Sequence, residues 1–181
     1  MAIIDRKICL VGDFAVGKTS LIRRFVENKF SDEYLTTVGV KISRKMVQLA
    51  PEIDVRLLIW DLERQTKFNR IVPSYLKGAK GAIMVGDLTR PETIDHLESH
   101  IKLFLGINQK GGILLALNKS DLVSDIKREK VMEMTQFPDY PQVLRTYVTS
   151  AKTGAYVDEM LVKLANTVMK TDKRQQTRNN Q

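Results

Sequence analysis

The eight residues Gly12-Asp13-Phe14-Ala15-Val16-Gly17-Lys18-Thr19 decide the fold of this 181-residue chain. They have the pattern G-x-x-x-x-G-K-T, with an apolar run at residues 8–11 before them and an amphipathic stretch at residues 20–26 after them. A loop of this pattern between a strand and a helix curls its backbone so that successive N–H groups point at phosphate oxygens. The sequence therefore predicts a phosphate-binding loop in which Lys18 contacts the β- and γ-phosphates and Thr19 binds magnesium.

Beyond this loop, short apolar runs alternate with amphipathic stretches, which is typical of an α/β fold. The predicted strands span residues 8–11, 38–49, 53–60, 81–86, 113–117 and 143–148. The predicted helices span residues 20–26, a segment opened by Pro91, residues 126–134 and residues 157–169. We expect a P-loop NTPase fold: a six-stranded, mostly parallel sheet with helices on both faces and an antiparallel edge strand from residues 38–49. Residues 1–169 are expected to form one domain, and the polar, basic tail 170–181 is expected to be disordered.

Two further segments follow predicted strands and have the residue types needed to recognise a purine. Asn118-Lys119-Ser120-Asp121 follows one strand, and Thr149-Ser150-Ala151-Lys152 follows the next. Asp121 can accept two hydrogen bonds from guanine N1–H and its 2-amino group, a donor pair that adenine lacks. The Ala151 N–H can donate to guanine O6, and Lys119 and Lys152 can lay their aliphatic stems along the base. Taken alone, residues 118–121 are equally compatible with a solvated turn, and the phosphate loop alone is compatible with adenine-using kinases.

The combination of these segments resembles a known family. Residues 12–19, Thr37, Asp61, residues 118–121 and residues 150–152 together resemble the motifs of a Ras-superfamily small GTPase. Residues 29–40, Trp60-Asp61 and residues 75–79 are most similar to the Rab branch. The resemblance covers roughly residues 5–169, and its motifs occur in the family's order.

The resemblance implies roles for individual residues. Gln65 would orient the attacking water, and Lys18 and Thr37 would complete the catalytic set. Magnesium would be held by Thr19, by Thr37 and, through water, by Asp61. Residues 31–40 would be a switch that is ordered only when the third phosphate is present. The expected nucleotide contacts are Asp13, Phe14, Ala15, Val16, Gly17, Lys18, Thr19, Ser20, Phe30, Tyr34, Thr37, Arg64, Asn118, Lys119, Asp121, Ser150, Ala151 and Lys152.

The chain departs from the family pattern near the expected γ-phosphate. Arg64 replaces the glycine of D-x-x-G, and its Cβ restricts the backbone at this hinge. Glu63 adds a carboxylate beside an anionic ligand, which disfavours the ordered triphosphate geometry unless the side chain turns outward or pairs with Arg64. Phe14 is bulky where the family has a small residue, so it would crowd an arginine supplied by an activating protein. The sequence therefore predicts slow intrinsic hydrolysis.

These features predict a Mg²⁺-dependent GTP hydrolase that switches between GTP and GDP states. Effector, exchange and activating proteins are expected to bind residues 31–48 and 62–80. The main alternative is a nucleotide-binding scaffold with little or no hydrolysis. An ATP-dependent kinase is disfavoured because residues 118–121 and 150–152 together match guanine.

The formal net charge of +8, from 29 basic and 21 acidic residues, raises the question of a nucleic-acid partner. The basic stretches at residues 41–45 and 64–80 match no nucleic-acid-binding module, so we predict no nucleic acid. They instead lie on or beside the switches, which indicates an acidic protein partner for Lys41, Arg44 and Lys45.

The remaining reactive side chains give simpler predictions. His96 and His100 have the spacing H-x-E-x-H, which we interpret as a solvated helix face rather than a metal site. Cys9 is the single cysteine and lies in a predicted strand, so we expect a core residue in a reducing cytoplasm. Position 2 is Ala and the last residues contain no cysteine, so no covalent lipid anchor is expected.

Overall fold

The described part of the chain alternates strands and helices, as the sequence predicts. A computed structural model describes residues 2–30, 40–51, 53–62 and 73–179, with the backbone alone for Ala2 and residues 171–179. The strands are β1 (Ala2–Gly12), β2 (Val40–Ala50), β3 (Ile53–Leu62), β4 (Gly81–Asp87), β5 (Gly112–Asn118) and β6 (Val143–Val148). The helices are α1 (Lys18–Glu27), α2 (Pro73–Leu76), α3 (Pro91–Asp95), α4 (Leu97–Ile107), α5 (Asp125–Met134) and α6 (Val157–Asn179), with a 3-10 turn at Ser120–Leu122.

The six described strands form one sheet in the order β2-β3-β1-β4-β5-β6. Every pairing is parallel except that of β2 with β3, which is antiparallel. The predicted sheet and its antiparallel edge strand are therefore confirmed. β4 and β5 lie in the middle of the parallel region and are buried along their whole length, because helices cover both faces.

The core forms one layer on each face of the sheet, because neighbouring strand residues point to opposite sides. Ile8 and Leu10 of β1 belong to the layer under α1 and α6, while Cys9 and Val11 belong to the layer under α4. Cys9 is fully buried, as predicted for a core residue. Burial raises the pKa of its thiol to about 12, so the thiol remains protonated at neutral pH.

Strand β1 begins six residues earlier than the sequence predicts, at Ala2 rather than Ile8. Its first half pairs with β3 alone, and pairing with β4 starts only at Ile8. This half is less covered, so charged residues are accommodated there. Asp5, for example, accepts two hydrogen bonds from Arg56 of β3 at 2.6 and 2.8 Å.

Two helices also differ from the prediction. The segment opened by Pro91 is two helices rather than one, because the chain turns at His96 between α3 and α4. Helix α6 continues to Asn179, past Met169 and into the segment expected to be disordered. Lys, Arg and Gln in residues 170–179 have good helix propensity, which accounts for the continuation.

The carboxyl ends of the parallel strands meet at one edge of the sheet. The order of the strands reverses around β1, which has β3 on one side and β4 on the other. An open α/β sheet binds its ligands at such a point, outside the carboxyl ends of the strands. The phosphate loop leaves β1 there, so the fold places the predicted site at this edge.

Candidate functional site

Both glycines of the phosphate loop are required by the packing around them. A Cβ at Gly12 would overlap the carbonyl oxygen of Val85 in β4, and a Cβ at Gly17 would overlap Nδ2 of Asn118. Gly17 also has a φ of +100°, a backbone conformation that residues other than glycine rarely adopt. The loop therefore lies directly against β4 and β5, and α1 begins immediately after it.

Lys18, the first residue of α1, is buried and turns back over the loop. Its Nζ donates hydrogen bonds to the carbonyl oxygens of Gly12 at 3.0 Å and Asp13 at 2.7 Å. The ammonium group is thus held at the centre of the loop, beside the positive end of the α1 dipole. This arrangement favours an anion such as a phosphate group.

Thr19 and Asp61 bring two hard oxygen atoms together at the mouth of the loop. The Thr19 hydroxyl donates a hydrogen bond to Oδ2 of Asp61, which lies at the end of β3 and is 1% exposed. Hydroxyl and carboxylate oxygens are ligands that Mg²⁺ accepts, usually together with water and phosphate oxygens. The donor set therefore fits a magnesium ion.

Asn118, at the end of β5, connects the phosphate loop to the segment after β6. Its Nδ2 donates to the Val16 carbonyl at 3.0 Å. Its Oδ1 accepts hydrogen bonds from the Thr149 hydroxyl and the Ala151 N–H, both at 3.2 Å. The side chain is 1% exposed, so it acts as a buried link between the two loops. In this arrangement the Ala151 N–H, expected to donate to guanine O6, donates to Asn118.

Asp121 is oriented by the segment after β6. The Ser150 hydroxyl donates to Oδ1 of Asp121 at 2.6 Å, and the Ser150 oxygen accepts from the Thr153 N–H at 3.1 Å. Asp121 itself remains exposed at the edge of the sheet. The structure therefore brings together the two segments that the sequence assigned to base recognition.

Lys119 has a contact that the sequence did not predict. Its Nζ lies 2.6 Å from Oδ2 of Asp87, a fully buried carboxylate at the end of β4. Burial alone would raise the pKa of Asp87. Hydrogen bonds from Lys119 and Thr89 outweigh that effect and hold the pKa of Asp87 below its usual value. Lys119 thus joins the ends of β4 and β5.

The other predicted contacts are distributed as follows. Phe30 is half-buried and packs against the core layer that includes α1 and α6, and Lys152 is exposed. Ala15 and Ser20 are half-buried, in the loop and in α1 respectively. Tyr34, Thr37, Glu63, Arg64 and Gln65 lie outside the described residues.

Arg24 of α1 supports the base-recognition segment, a role that no motif in the sequence indicates. Its Nε donates to the Ala151 carbonyl at 2.8 Å, and its Nη2 donates to the Lys152 carbonyl. The contact joins residues far apart in the chain, and an arginine on a helix face has no recognisable spacing. Only the fold reveals it.

The interpretation of His96 and His100 as a solvated face is wrong. His100 is buried, and both rings contact the carboxylate of Asp13 in the phosphate loop: His96 Nδ1 lies 2.5 Å from Oδ2 and His100 Nε2 lies 3.0 Å from Oδ1. His96 keeps a helical backbone conformation between α3 and α4, with φ of −78° and ψ of −11°, so His96 and His100 lie one turn apart on the same side. Among the described residues, no group of three His, Cys, Asp or Glu side chains can hold a metal ion.

The site as a whole combines a buried cation under a phosphate loop, a pair of oxygen ligands and an oriented carboxylate. These groups lie along one edge, from β3 through β1 and β5 to β6. A family model for the Ras family matches residues 7–170 of the chain. The chain belongs to the Ras family.

Relatives within the Ras family are Rab-type proteins. Ras-related protein Rab-22A of Homo sapiens is 34% identical over 178 residues, covering 95% of this chain and 88% of that protein. Ras-related protein Rab-32A of Dictyostelium discoideum is 32% identical over 174 residues, covering 93% and 80%. Ras-related protein Rab-12 of Mus musculus is 34% identical over 165 residues, covering 91% and 67%.

This Rab-like GTPase therefore binds guanine nucleotide, hydrolyses GTP and acts as a molecular switch with regulatory and effector partners. The predicted family, fold and GTPase activity are confirmed, and the ATP-dependent kinase alternative is wrong. Within the described residues, no helix has the length and apolar character needed to span a membrane.

Proposed function

We propose that this GTPase is a Mg²⁺-dependent switch with slow intrinsic hydrolysis, and that Lys18, Thr37 and Gln65 form its catalytic set. The observation that carries the proposal is the position of Lys18, whose ammonium group is held over the loop by two backbone carbonyls. In this position it can neutralise charge that develops on the transferred phosphoryl group. Gln65 would orient the attacking water.

The metal would be held by Thr19, Thr37 and, through water, Asp61. The contact between the Thr19 hydroxyl and the Asp61 carboxylate supports this assignment, because both oxygens face the same point beside the loop. A bound Mg²⁺ would supply positive charge to the phosphate oxygens. Thr19 and Asp61 would hold the ion, and Lys18 would add a second positive charge from the phosphate loop.

Guanine would be recognised by Asp121. The hydrogen bond from Ser150 fixes one carboxylate oxygen and so sets the direction of the other. A carboxylate in a fixed orientation discriminates between purines because adenine has no matching pair of donors. Lys119 and Lys152 would flank the base, and Phe30 would lie beside it.

Slow hydrolysis is supported by the surroundings of Phe14. Its side chain is 46% exposed at the phosphate loop, and its carbonyl accepts a hydrogen bond from Arg90 at 2.9 Å. A bulky side chain there would obstruct an arginine finger, which is worth about 10³–10⁵ in rate. Glu63 and Arg64 would further disfavour the ordered triphosphate geometry.

The hinge at Arg64 is tested by single-turnover hydrolysis of preloaded GTP. Arg64→Gly restores a residue that can adopt every backbone conformation, and we expect hydrolysis about tenfold faster than in the wild type. Lys67→Gly is the matched control, since it removes a positive charge and adds a glycine nearby without changing the hinge position. If Arg64→Gly is no faster than the wild type, Arg64 does not limit the rate. If neither protein hydrolyses GTP that remains bound, the scaffold alternative is correct.

Effector, exchange and activating proteins would bind residues 31–48 and 62–80. In β2, alternation places Ile42, Arg44 and Met46 on one face and Lys41 and Lys45 on the other. Lys45 confirms this division, since its Nζ lies 5.3 Å from the centre of the Phe25 ring in α1. Lys41, Arg44 and Lys45, which were expected to bind one acidic partner, therefore do not lie on the same face of β2. Arg44, flanked by exposed Ile42 and Met46, is the better candidate for an acidic partner.

Pulldowns with GTP-loaded and GDP-loaded protein test this surface. We expect Arg44→Glu to reduce GTP-dependent partner capture, because it reverses the charge between two exposed apolar side chains. Lys45→Glu reverses the charge on the opposite face and is the control. Equal loss in both variants would count against a partner surface centred on Arg44.

Residues 1–169 would form the GTPase domain, followed by the basic segment 170–181. A cytoplasmic location would suit the single, buried Cys9, which needs no oxidising compartment.

A further inference from the structure

The carboxylate of Asp13 is held by both histidines of the chain. The sequence contains only two, His96 and His100, and both contact this one residue of the phosphate loop. Their spacing of four places the two rings on the same side of the chain where α4 begins. Because an ionised carboxylate only accepts hydrogen bonds, both contacting ring nitrogens carry hydrogens in this arrangement.

The same segment holds the next residue of the loop. Arg90 Nη2 donates to the Phe14 carbonyl at 2.9 Å. Residues 13 and 14 are therefore both fixed by residues 90–100, which we call the clasp segment. In the rest of the loop, Val16 is held by Asn118 of β5.

Asp13 connects the clasp segment to the phosphate site. Its side chain is held by the histidines, while its backbone carbonyl accepts a hydrogen bond from Lys18 Nζ at 2.7 Å. A shift of Asp13 moves this carbonyl and with it the ammonium group that faces the phosphates. The histidines thus act on the nucleotide through Asp13 and Lys18.

We propose that His96 and His100 are positioning residues that set how long the phosphate loop retains its nucleotide. Asp13 is 6% exposed, so its carboxylate depends on protein partners rather than on water for hydrogen bonds. His96 and His100 supply two of these contacts and so restrict the position of Asp13 in the loop. Loss of either contact should let the loop move and shorten the retention of the nucleotide.

Charged groups of the described residues also lie beside this contact. Lys18 and Arg90 bond to backbone carbonyls of the loop, at Asp13 and Phe14. Arg90 also lies 3.5 Å from Glu92 and 3.8 Å from Asp87. Asp87 is paired with Lys119. On α3 and α4, Asp95 and Glu98 are exposed and belong to the solvent side.

The test is the dissociation rate of a fluorescent GDP analogue at neutral pH, with Mg²⁺ held constant. His96 is the site to change, because its side chain is half exposed and its replacement leaves the core intact. His96→Ala removes the contact with Asp13, and we expect it to release GDP about threefold to tenfold faster than the wild type.

Two further variants separate positioning from general stability. His96→Gln keeps an amide donor, so its GDP dissociation rate should lie between those of His96→Ala and the wild type. Ser99→Ala changes an exposed residue of α4 and should match the wild type. Equal GDP dissociation rates for the wild type and His96→Ala would overturn the proposal.

A double-mutant cycle tests whether His96 acts through Asp13. In the Asp13→Asn background, His96→Gln should have much less effect on the GDP dissociation rate than in the wild type, since its charged partner is absent. Additive effects would show that His96 acts by another route and would also overturn the proposal. All of these proteins must bind the analogue at the start, so a failure of GDP binding itself is recognised separately.

Discussion

The phosphate loop is held on two sides by different chemistry. Toward β5, Val16 accepts a hydrogen bond from the neutral amide of Asn118, and Gly17 packs against the same side chain. Toward α3 and α4, Asp13 and Phe14 contact two histidines and an arginine. The first side uses an uncharged amide and a close steric contact, whereas the second uses hydrogen bonds from ring nitrogens and a guanidinium group. The β5 side therefore fixes the shape of the loop, and the clasp segment positions Asp13 and Phe14.

The largest loss of GDP affinity is expected from a substitution at Gly17, because its packing against Asn118 leaves no space for a side chain. Gly17→Ala places a Cβ against Nδ2 of Asn118 in a backbone conformation with φ of +100°. Either the loop or Asn118 must move, and the Val16 hydrogen bond is lost with it. We expect GDP affinity to fall at least about 100-fold, equivalent to about 3 kcal/mol, as measured by equilibrium titration.

Gly78→Ala is the matched control for backbone strain. Gly78 also has a positive φ, +79°, but a Cβ there meets nothing within 4 Å. We expect about 1 kcal/mol loss in the free energy of unfolding and no change in GDP affinity. If the two variants lose GDP affinity equally, the contact between Gly17 and Asn118 is not what fixes the loop.

The β5 side could largely be predicted from the sequence, because its residues belong to motifs with fixed spacing after apolar strands. Residues 12–19, 118–121 and 150–152 meet at one edge because parallel strands end there. The sequence could not show that Asn118 occupies the Ala151 N–H, or that Lys119 pairs with Asp87. Such contacts depend on side-chain directions after each strand has ended.

The clasp segment could not be predicted. The contacts of Asp13 with His96 and His100 span 83 and 87 residues of sequence, and no periodic pattern relates them. Exposed histidines on a polar helix and histidines bound to a buried carboxylate have the same sequence pattern. The distinction arises from packing.

A smaller and pH-dependent change in the free energy of unfolding is expected from a substitution at Asp87. This residue lies at the end of β4, between the β5 side of the loop and the clasp segment. It pairs with Lys119 of the base-recognition segment and lies 3.8 Å from Arg90 of the clasp segment. Asp87→Asn keeps the shape of the side chain and removes its charge. Because the Lys119 side chain is 32% exposed, the loss at pH 7 should be moderate, about 2 kcal/mol in the free energy of unfolding.

The direction of the pH dependence follows from the lowered pKa of Asp87. The unfolded chain binds a proton to this carboxyl at a higher pH than the folded chain does. The stabilisation is therefore complete above the ordinary aspartate pKa of about 3.9 and is lost as the pH falls further.

Urea unfolding with saturating GDP should show a constant gap in the free energy of unfolding between the wild type and Asp87→Asn from pH 7 to pH 5. The gap should begin to close below about pH 4. A gap that stayed constant down to pH 3.5 would mean that the charge of Asp87 does not stabilise the junction, and that its hydrogen bonds to Thr89 alone hold it there.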